Sequence, residues 1–255
     1  EHTTLHLLYS RFWHKFLYDC GLVPTSEPYM KRTSHGMVLG ANGEKMSKSR
    51  GNVVNPDDYI PVYGADAFRT YIMFMGAFDQ PIPWNEQGTR GCRRFLDRVW
   101  ALQDMLQGEG DTDAEQKKNV HATIKKVGED YERMKFNTAI ASMMSLTNAF
   151  YAKGKLTKDE LHTLLLLLAP VAPHICEEIN QNLGYEPLHH APWPVFDEAA
   201  LVENTIEYGV QVNGKVRGRV TLDASLDTKA VEAAALACEE VKPFIEGKEI
   251  KKVIV

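Results

Sequence analysis

Gly43-Glu44-Lys45-Met46-Ser47-Lys48-Ser49-Arg50-Gly51-Asn52 is the stretch from which the rest of the chain is read. Two ammonium groups three residues apart, with hydroxyls beside them and a glycine on each side, make a mobile loop that can close over a polyphosphate. A generic pair of lysines at that spacing is more often only a solvated basic loop. The flanks add information. Met37-Val38-Leu39 is a short apolar strand, and Gly40-Ala41-Asn42-Gly43 supplies turn chemistry after it. Beyond the lysines, Asn55 is an N-cap with Pro56 at the first helical position and Asp57 and Asp58 in the first turn, which predicts a short helix. A second helix is expected from about Ala65 to Met75.

Toward the N-terminus, Leu5, Leu8, Phe12 and Phe16, with Leu17 beside them, recur at helical steps. They predict an amphipathic helix of about five turns, closed by Gly21 and Pro24. The chain begins on this pattern at Glu1 with no initiator Met and no signal-peptide flank, as expected of a chain cut within a domain. Toward the C-terminus, Gln80-Pro81-Ile82-Pro83-Trp84 reads as an extended linker, which puts a first boundary close to Trp84.

The pattern is then helical over about 85–106, 114–134, 136–152 and 158–183. Thr157 and Glu160 form a capping box, and Pro170 divides the last stretch. Long helices with short polar connections read as a bundle. A second Pro-rich connector, Ala191-Pro192-Trp193-Pro194, precedes a change of period from 3.6 to 2. Ile206 to Val212 alternates, Asn213-Gly214 is a strong hairpin signal, and Val216 to Leu222 forms the return strand. A helix over about 228–239 and a final strand near 250–255 complete a small module, marginal on its own.

Composition narrows the class. The chain has 255 residues, 44% of them hydrophobic and 25% charged, which excludes disorder as the main state. Lys and Arg total 29 against 34 Asp and Glu, a net charge of −5, so nothing advertises nucleic acid globally. Cys20, Cys92, Cys176 and Cys238 are too widely spaced for a zinc ribbon and read as reduced, mostly buried thiols of a cytoplasmic protein. The five-leucine run Leu164–Leu168 is broken by Pro170 and is far short of the roughly 20 residues that cross a bilayer. His189 and His190 have no third ligand at metal spacing, so no metal site is assigned. Trp84, Trp100 and Trp193 are taken as core or hinge aromatics.

Lys45-Met46-Ser47-Lys48-Ser49 followed by Arg-Gly-Asn resembles the signature loop of the class I aminoacyl-tRNA synthetases. Glu1-His2, His6-Leu7-Leu8-Tyr9-Ser10-Arg11-Phe12-Trp13, Gly36 to Leu39 and Tyr63-Gly64-Ala65-Asp66-Ala67 narrow it, as do Arg94 to Trp100 and Phe136 to Ile140. With Pro173-His174, Ala191 to Pro194 and Val210 to Arg217, they are similar to bacterial leucyl-tRNA synthetases over essentially the whole chain.

The resemblance implies a multidomain α/β plus mainly α fold. Residues 1–84 would be the C-terminal remnant of a Rossmann-like catalytic domain, carrying the signature loop at 45–49. Residues 85–195 would be an anticodon-binding-type helical bundle, and 205–255 a small α+β C-terminal tRNA-binding domain. It further implies a leucine–tRNA ligase using ATP with magnesium, leucine and tRNA(Leu), cytoplasmic and monomeric, without membrane attachment. The His-Ile-Gly-His signature and the editing insertion would precede Glu1, so the chain alone is expected to be inactive.

By the same resemblance, Glu1 and His2 would lie at the adenylate ribose and His6 would line the leucine pocket. Met37 and Val38 would set backbone groups against adenine. Lys45, Met46, Ser47, Lys48 and Ser49 would hold the nucleotide, with Lys45 and Lys48 catalytic. A histidine satisfied on a helix face is the plainer reading of His6.

Two basic features are candidates for tRNA contact. Arg90, Arg93, Arg94 and Arg98 share one helix face, either for tRNA or as a solvated face with Asp97 pairing locally. Lys215, Arg217 and Arg219 alternate on a strand, expected on one face with Val216 and Val220 on the other, and invert the sign of an acidic chain. Three alternatives compete with the leucyl reading. Against an isoleucyl relative stands the lack of C-terminal cysteine pairs, and against a valyl one the lack of a terminal heptad pattern. A non-catalytic tRNA-binding paralogue would have no use for an intact Lys45–Ser49 motif.

Overall fold

The computed structural model describes residues 2–107, 113–201, 205–223, 226–247, 250 and 253. Glu1 and most of the expected final strand near 250–255 lie outside the described residues, as does the side chain of His2.

The apolar stripe near the N-terminus does form a helix: a π-turn over His2–His6 leads into α1, Leu7–Asp19. No side chain of α1 is buried, and Leu8, Phe12, Trp13 and Phe16 are at least half exposed. What holds the following segment to it is polar. Arg11 donates to both oxygens of Glu27 at 2.8 and 2.7 Å, and Lys15 Nζ lies 2.8 Å from the same carboxylate. Arg11 foremost, then Lys15, lowers the Glu27 pKa to about 2.

β1 (Val38–Leu39) pairs in parallel with β2 (Ile82–Pro83), and between them lie α2 (Pro56–Tyr63) and α3 (Ala65–Phe74). Asn55 caps α2 as its position predicts, its Oδ1 accepting from Asp57 N–H at 3.2 Å. Gln80–Trp84 is therefore not a free linker. Prolines favour extended backbone, and extended backbone serves equally well as an edge strand. Ile82 N–H donates to Met37 C=O at 3.0 Å and Trp84 N–H to Leu39 C=O at 2.9 Å. Trp84 is buried beside Tyr71 and Cys92, and Val38, Met46 and Val54 pack around this small core. Burial pushes the Cys92 thiol up to about 12.

The larger core is helical. It is built from α4 (Glu86–Ala101), α5 (Ala114–Glu132), α6 (Phe136–Lys153), α7 (Lys158–Leu168) and α8 (Pro173–Leu183). Phe150, Leu102, Ile140, Met143, Leu164 and Ile179 are fully enclosed there, each contributing about 1.5–3 kcal/mol by burial. The Thr157–Glu160 capping box opens α7, and Pro170 separates it from α8. Of the tryptophans, Trp84 is buried, while Trp193, which packs against Tyr131, and Trp100 are both exposed. Two of the four free cysteines, Cys92 and Cys176, are buried.

α3 faces both cores. Ala67 belongs to the helical one, while the buried Asp66 accepts from Ile175 N–H and pairs with His174 Nδ1, both at 2.7 Å. Arg69 donates to the carbonyls of Pro170 and Val171. The start of α8 is thus capped by a carboxylate from across the molecule.

After α9 (Glu198–Leu201), β3 (Thr205–Val212) and β4 (Lys215–Asp223) form the antiparallel hairpin, turning at Asn213 (φ 52°) and Gly214 (φ 75°). Two positive φ values are the reason for the Asn-Gly pair. α10 (Thr228–Ala237) packs on β4, and the short α11 (Lys242–Ile245) meets it where the Phe244 ring lies against Arg217. A Cβ on Gly218 would stand 2.9 Å from Val241 and 3.1 Å from Cys238 Sγ, so only glycine allows this approach.

Candidate nucleotide loop and basic surfaces

The loop grows directly out of β1. Leu39 bridges Lys45 antiparallel, Gly40 N–H donates to Glu44 C=O at 2.8 Å, and Gly43 N–H to Gly40 C=O at 2.8 Å. Lys48–Arg50 makes one 3₁₀ turn, ended by Gly51 at φ 64°. Ser47 and Ser49 hydroxyls share a hydrogen bond of 2.8 Å, and Arg50 pairs with Glu44 at 3.2 Å. Met46 turns inward to the Trp84 core, while Lys45, Lys48 and Ser49 are exposed. Among the described residues neither lysine's ammonium group has a hydrogen-bond or ion-pair partner.

Two polar residues outside the expected set organise this loop. Asn52 Oδ1 accepts from Ser47 N–H at 2.9 Å, and its Nδ2 donates to Lys45 C=O at 3.3 Å. Asn42 Oδ1 accepts from Glu44 N–H at 3.2 Å. Asparagines beside glycines, able to bond nearby backbone, were the available signal.

Met37 and Val38 are brought together with the lysines through this hairpin. The Met37 carbonyl is used by β2. The ladder alternates, so Val38 directs its N–H and C=O away from β2, to the side on which Gly40 N–H meets Glu44 C=O and Leu39 bridges Lys45. His6 is exposed at the head of α1, its carbonyl accepting from Ser10 Oγ at 2.8 Å. α1 is joined by its side chains to the 25–27 segment.

Arg90, Arg93, Arg94 and Arg98 do line the exposed face of α4, opposite the buried Cys92, Phe95, Leu96 and Val99. Most are engaged within the chain. Arg90 bonds the Tyr63 side chain, which raises its pKa, and Arg93 reaches Asp97 at 2.8 Å and Tyr63 C=O at 3.1 Å. Arg98 donates to Asn148 at 2.7 Å and lies 4.4 Å above the Tyr151 ring. Arg94 has no such partner among the described residues.

On the hairpin the expected facing is overturned. A bulge falls between the pairs Val210↔Gly218 and Gln211↔Val216, so Arg217 is the extra residue. Register then puts Val216 on the face of Arg219, and Lys215, opposite Val212, on the other. Arg219 pairs with Glu207 at 3.2 Å across the strands, and Arg217 lies 4.3 Å over Phe244.

The chain is similar to known proteins. Residues 9–83 fit the family model for class I tRNA synthetases (I, L, M and V), and residues 116–232 that for the anticodon-binding domain of tRNA ligase. The second match runs through β3 and β4 into α10. A leucine–tRNA ligase of Alkaliphilus oremlandii (strain OhILAs) is 54% identical over 255 residues, 100% of this chain and 32% of that protein. A crystal structure of the ternary complex of Agrobacterium radiobacter K84 agnB2 LeuRS, tRNA and LeuAMS aligns with a TM-score of 0.67 at 34% identity. That alignment covers 98% of this chain and 35% of the solved one. The chain therefore spans about a third of the length of these relatives.

Proposed function

We propose, for a chain that belongs along its whole length to the leucine–tRNA ligase family, that it supplies the phosphate loop, the helical bundle and the C-terminal hairpin module of such an enzyme. The complete enzyme would join leucine to ATP as leucyl-adenylate, releasing pyrophosphate, and pass the leucyl group to the terminal ribose of tRNA(Leu). The observation that carries this reading is the 54% identity over 255 residues, with the two exposed lysines of the Lys45–Ser49 loop in support.

Leucine's carboxylate attacks the α-phosphorus, and negative charge grows on the bridging oxygen that leaves with pyrophosphate. Lys45 and Lys48, three residues apart on a loop anchored to β1, can meet that charge as it develops, and only such differential stabilisation lowers the barrier. Met37 and Val38 are assigned to the adenine through backbone groups, since adenine needs one N–H and one C=O. Among the described residues no group of three His, Cys, Asp or Glu side chains converges to hold a metal. Magnesium would come with ATP, held largely by substrate phosphates rather than by a protein cage.

The domain reading is part of the same proposal: 1–84 a catalytic-domain remnant, 85–195 the bundle, and 205–255 the tRNA-binding module, acting in a cytoplasmic monomer. The exposed apolar stripe of α1 fits a catalytic domain whose remainder would cover it. No described helix is long and apolar enough to cross a membrane. tRNA contact is assigned to Arg90, Arg93, Arg94 and Arg98 and to Lys215, Arg217 and Arg219, with Arg94 and Lys215 the freest. His6, at the head of α1, is assigned to the leucine side chain. The test is Lys48→Ala in the complete enzyme, expected to lower leucine-dependent ATP–pyrophosphate exchange at least about 100-fold. Exchange within about threefold of wild type would contradict the assignment of the loop.

A further inference from the structure

We propose that Asn52 is a positioning residue for adenylate formation, its amide clasping the backbone of the lysine loop so that Lys45 and Lys48 are held in one orientation. The proposal rests on the reading of that loop as the ATP site.

Asn52 bonds two backbone groups on either side of Met46: Ser47 N–H at 2.9 Å and Lys45 C=O at 3.3 Å. Its Nδ2 also stands 3.4 Å from Asn42 Oδ1, which links it to the turn before the lysines. One amide thus joins the entry, the centre and the exit of the loop. Met46 anchors the other side by packing into the Trp84 core. Between an apolar plug and a polar clasp, the lysine side chains are left to project into solvent.

The neighbouring glycine fits the same purpose. A Cβ on Gly40 would lie 2.8 Å from Asn52 Nδ2 and 2.9 Å from Asn42 Oδ1, so the clasp occupies space that any side chain at 40 would claim. Asn52 is partly buried while the lysines are exposed, and its bonds run to backbone rather than to either ammonium. It therefore acts through the loop and leaves the ammonium groups available. Stabilising charge in a transition state depends on donors already in place, and a displacement of about 1 Å costs on the order of 100-fold. An amide is required for both bonds: aspartate could still accept from Ser47 but would oppose the Lys45 carbonyl with another acceptor.

Asn52→Ala and Asn52→Asp are to be compared with wild type in the complete enzyme, with Lys48→Ala as control. Asn52→Ala is expected to lower kcat for leucine-dependent ATP–pyrophosphate exchange about tenfold, with KM for leucine within about twofold. Asn52→Asp should fall between, since it keeps the Ser47 bond. In the 255-residue chain itself, hydrogen exchange at the Ser47 amide should quicken about tenfold in Asn52→Ala and stay near wild type in Asn52→Asp. An Asn52→Ala kcat within about twofold of wild type, or unchanged exchange at Ser47, overturns the clasp. If Lys48→Ala is itself silent, the ATP reading falls and this inference with it. An inactive Lys48→Ala beside a fully active Asn52→Ala removes the clasp alone.

Discussion

The lysine loop and the β3–β4 hairpin are both basic and exposed, yet their cations stand in opposite conditions. In the loop the backbone is restrained, by Asn52, by Met46 and by the bridge to β1, and the ammonium groups of Lys45 and Lys48 are left without partners among the described residues. On the hairpin the cations are themselves engaged: Arg219 with Glu207, Arg217 with Phe244, and Lys215 alone unpartnered among the described residues. A run of like charge in a sequence states how much charge is present. Neighbours across strands and between elements decide how much of it a ligand can use. Unpaired lysines on a fixed backbone suit charge concentrated on a few phosphate oxygens, whereas shared, spread cations suit a polyanionic backbone, where each contact counts little.

Four substitutions test this contrast. The largest effect is expected from Lys48→Ala, which should remove adenylate formation by at least about 100-fold while leaving tRNA affinity in a filter or gel assay unchanged. A parallel loss of tRNA affinity would erase the distinction between the two regions. Next comes Gly40→Ala. Its methyl group displaces the Asn52 amide, and pyrophosphate exchange should drop about tenfold, with the bundle's thermal midpoint unmoved.

Lys215→Ala should weaken tRNA binding a few-fold and reduce the slope of log K against log[salt] by about 1, with activation untouched. A flat salt dependence in the unsubstituted chain would contradict backbone contact altogether. The smallest effect belongs to Glu207→Gln. It releases Arg219, and tRNA affinity should rise by about twofold, the scale of an exposed ion pair. A fall in affinity would show that the pair itself, rather than the free cation, is what the partner meets.

Reading the sequence succeeded where the deciding interactions are local. Asn55 and Thr157 cap helices because their side-chain oxygens reach N–H groups two or three residues ahead. Pro170 ends α7 because it disrupts the helix's own hydrogen-bond ladder, and Asn213-Gly214 turns the hairpin because both residues accept positive φ. The Lys45–Ser49 motif was legible for the same reason, being contiguous.

Failures came from pairings between distant residues. Pro81 and Pro83 marked extended backbone correctly, but only the proximity of Met37 and Leu39 makes that segment a strand rather than a linker. Alternation along β4 was read as if the strand were regular, and a bulge at Arg217 moved Lys215 and Val216 to opposite faces from those expected. Arg93 and Asp97 could be paired on spacing alone, while Arg98 found Asn148 and Tyr151 on another helix.

What the amino-acid order determined by itself is therefore the set of elements, their caps and turns, and the chemistry offered by the lysine loop. These rest on backbone hydrogen bonds and steric preferences acting over a few residues. Tertiary structure alone decided that Asp66 caps α8 from 109 positions away, that the supposed linker is a strand, and which cations remain free. Each of these is set by groups that meet only after the hydrophobic cores have closed, so no local pattern carries them.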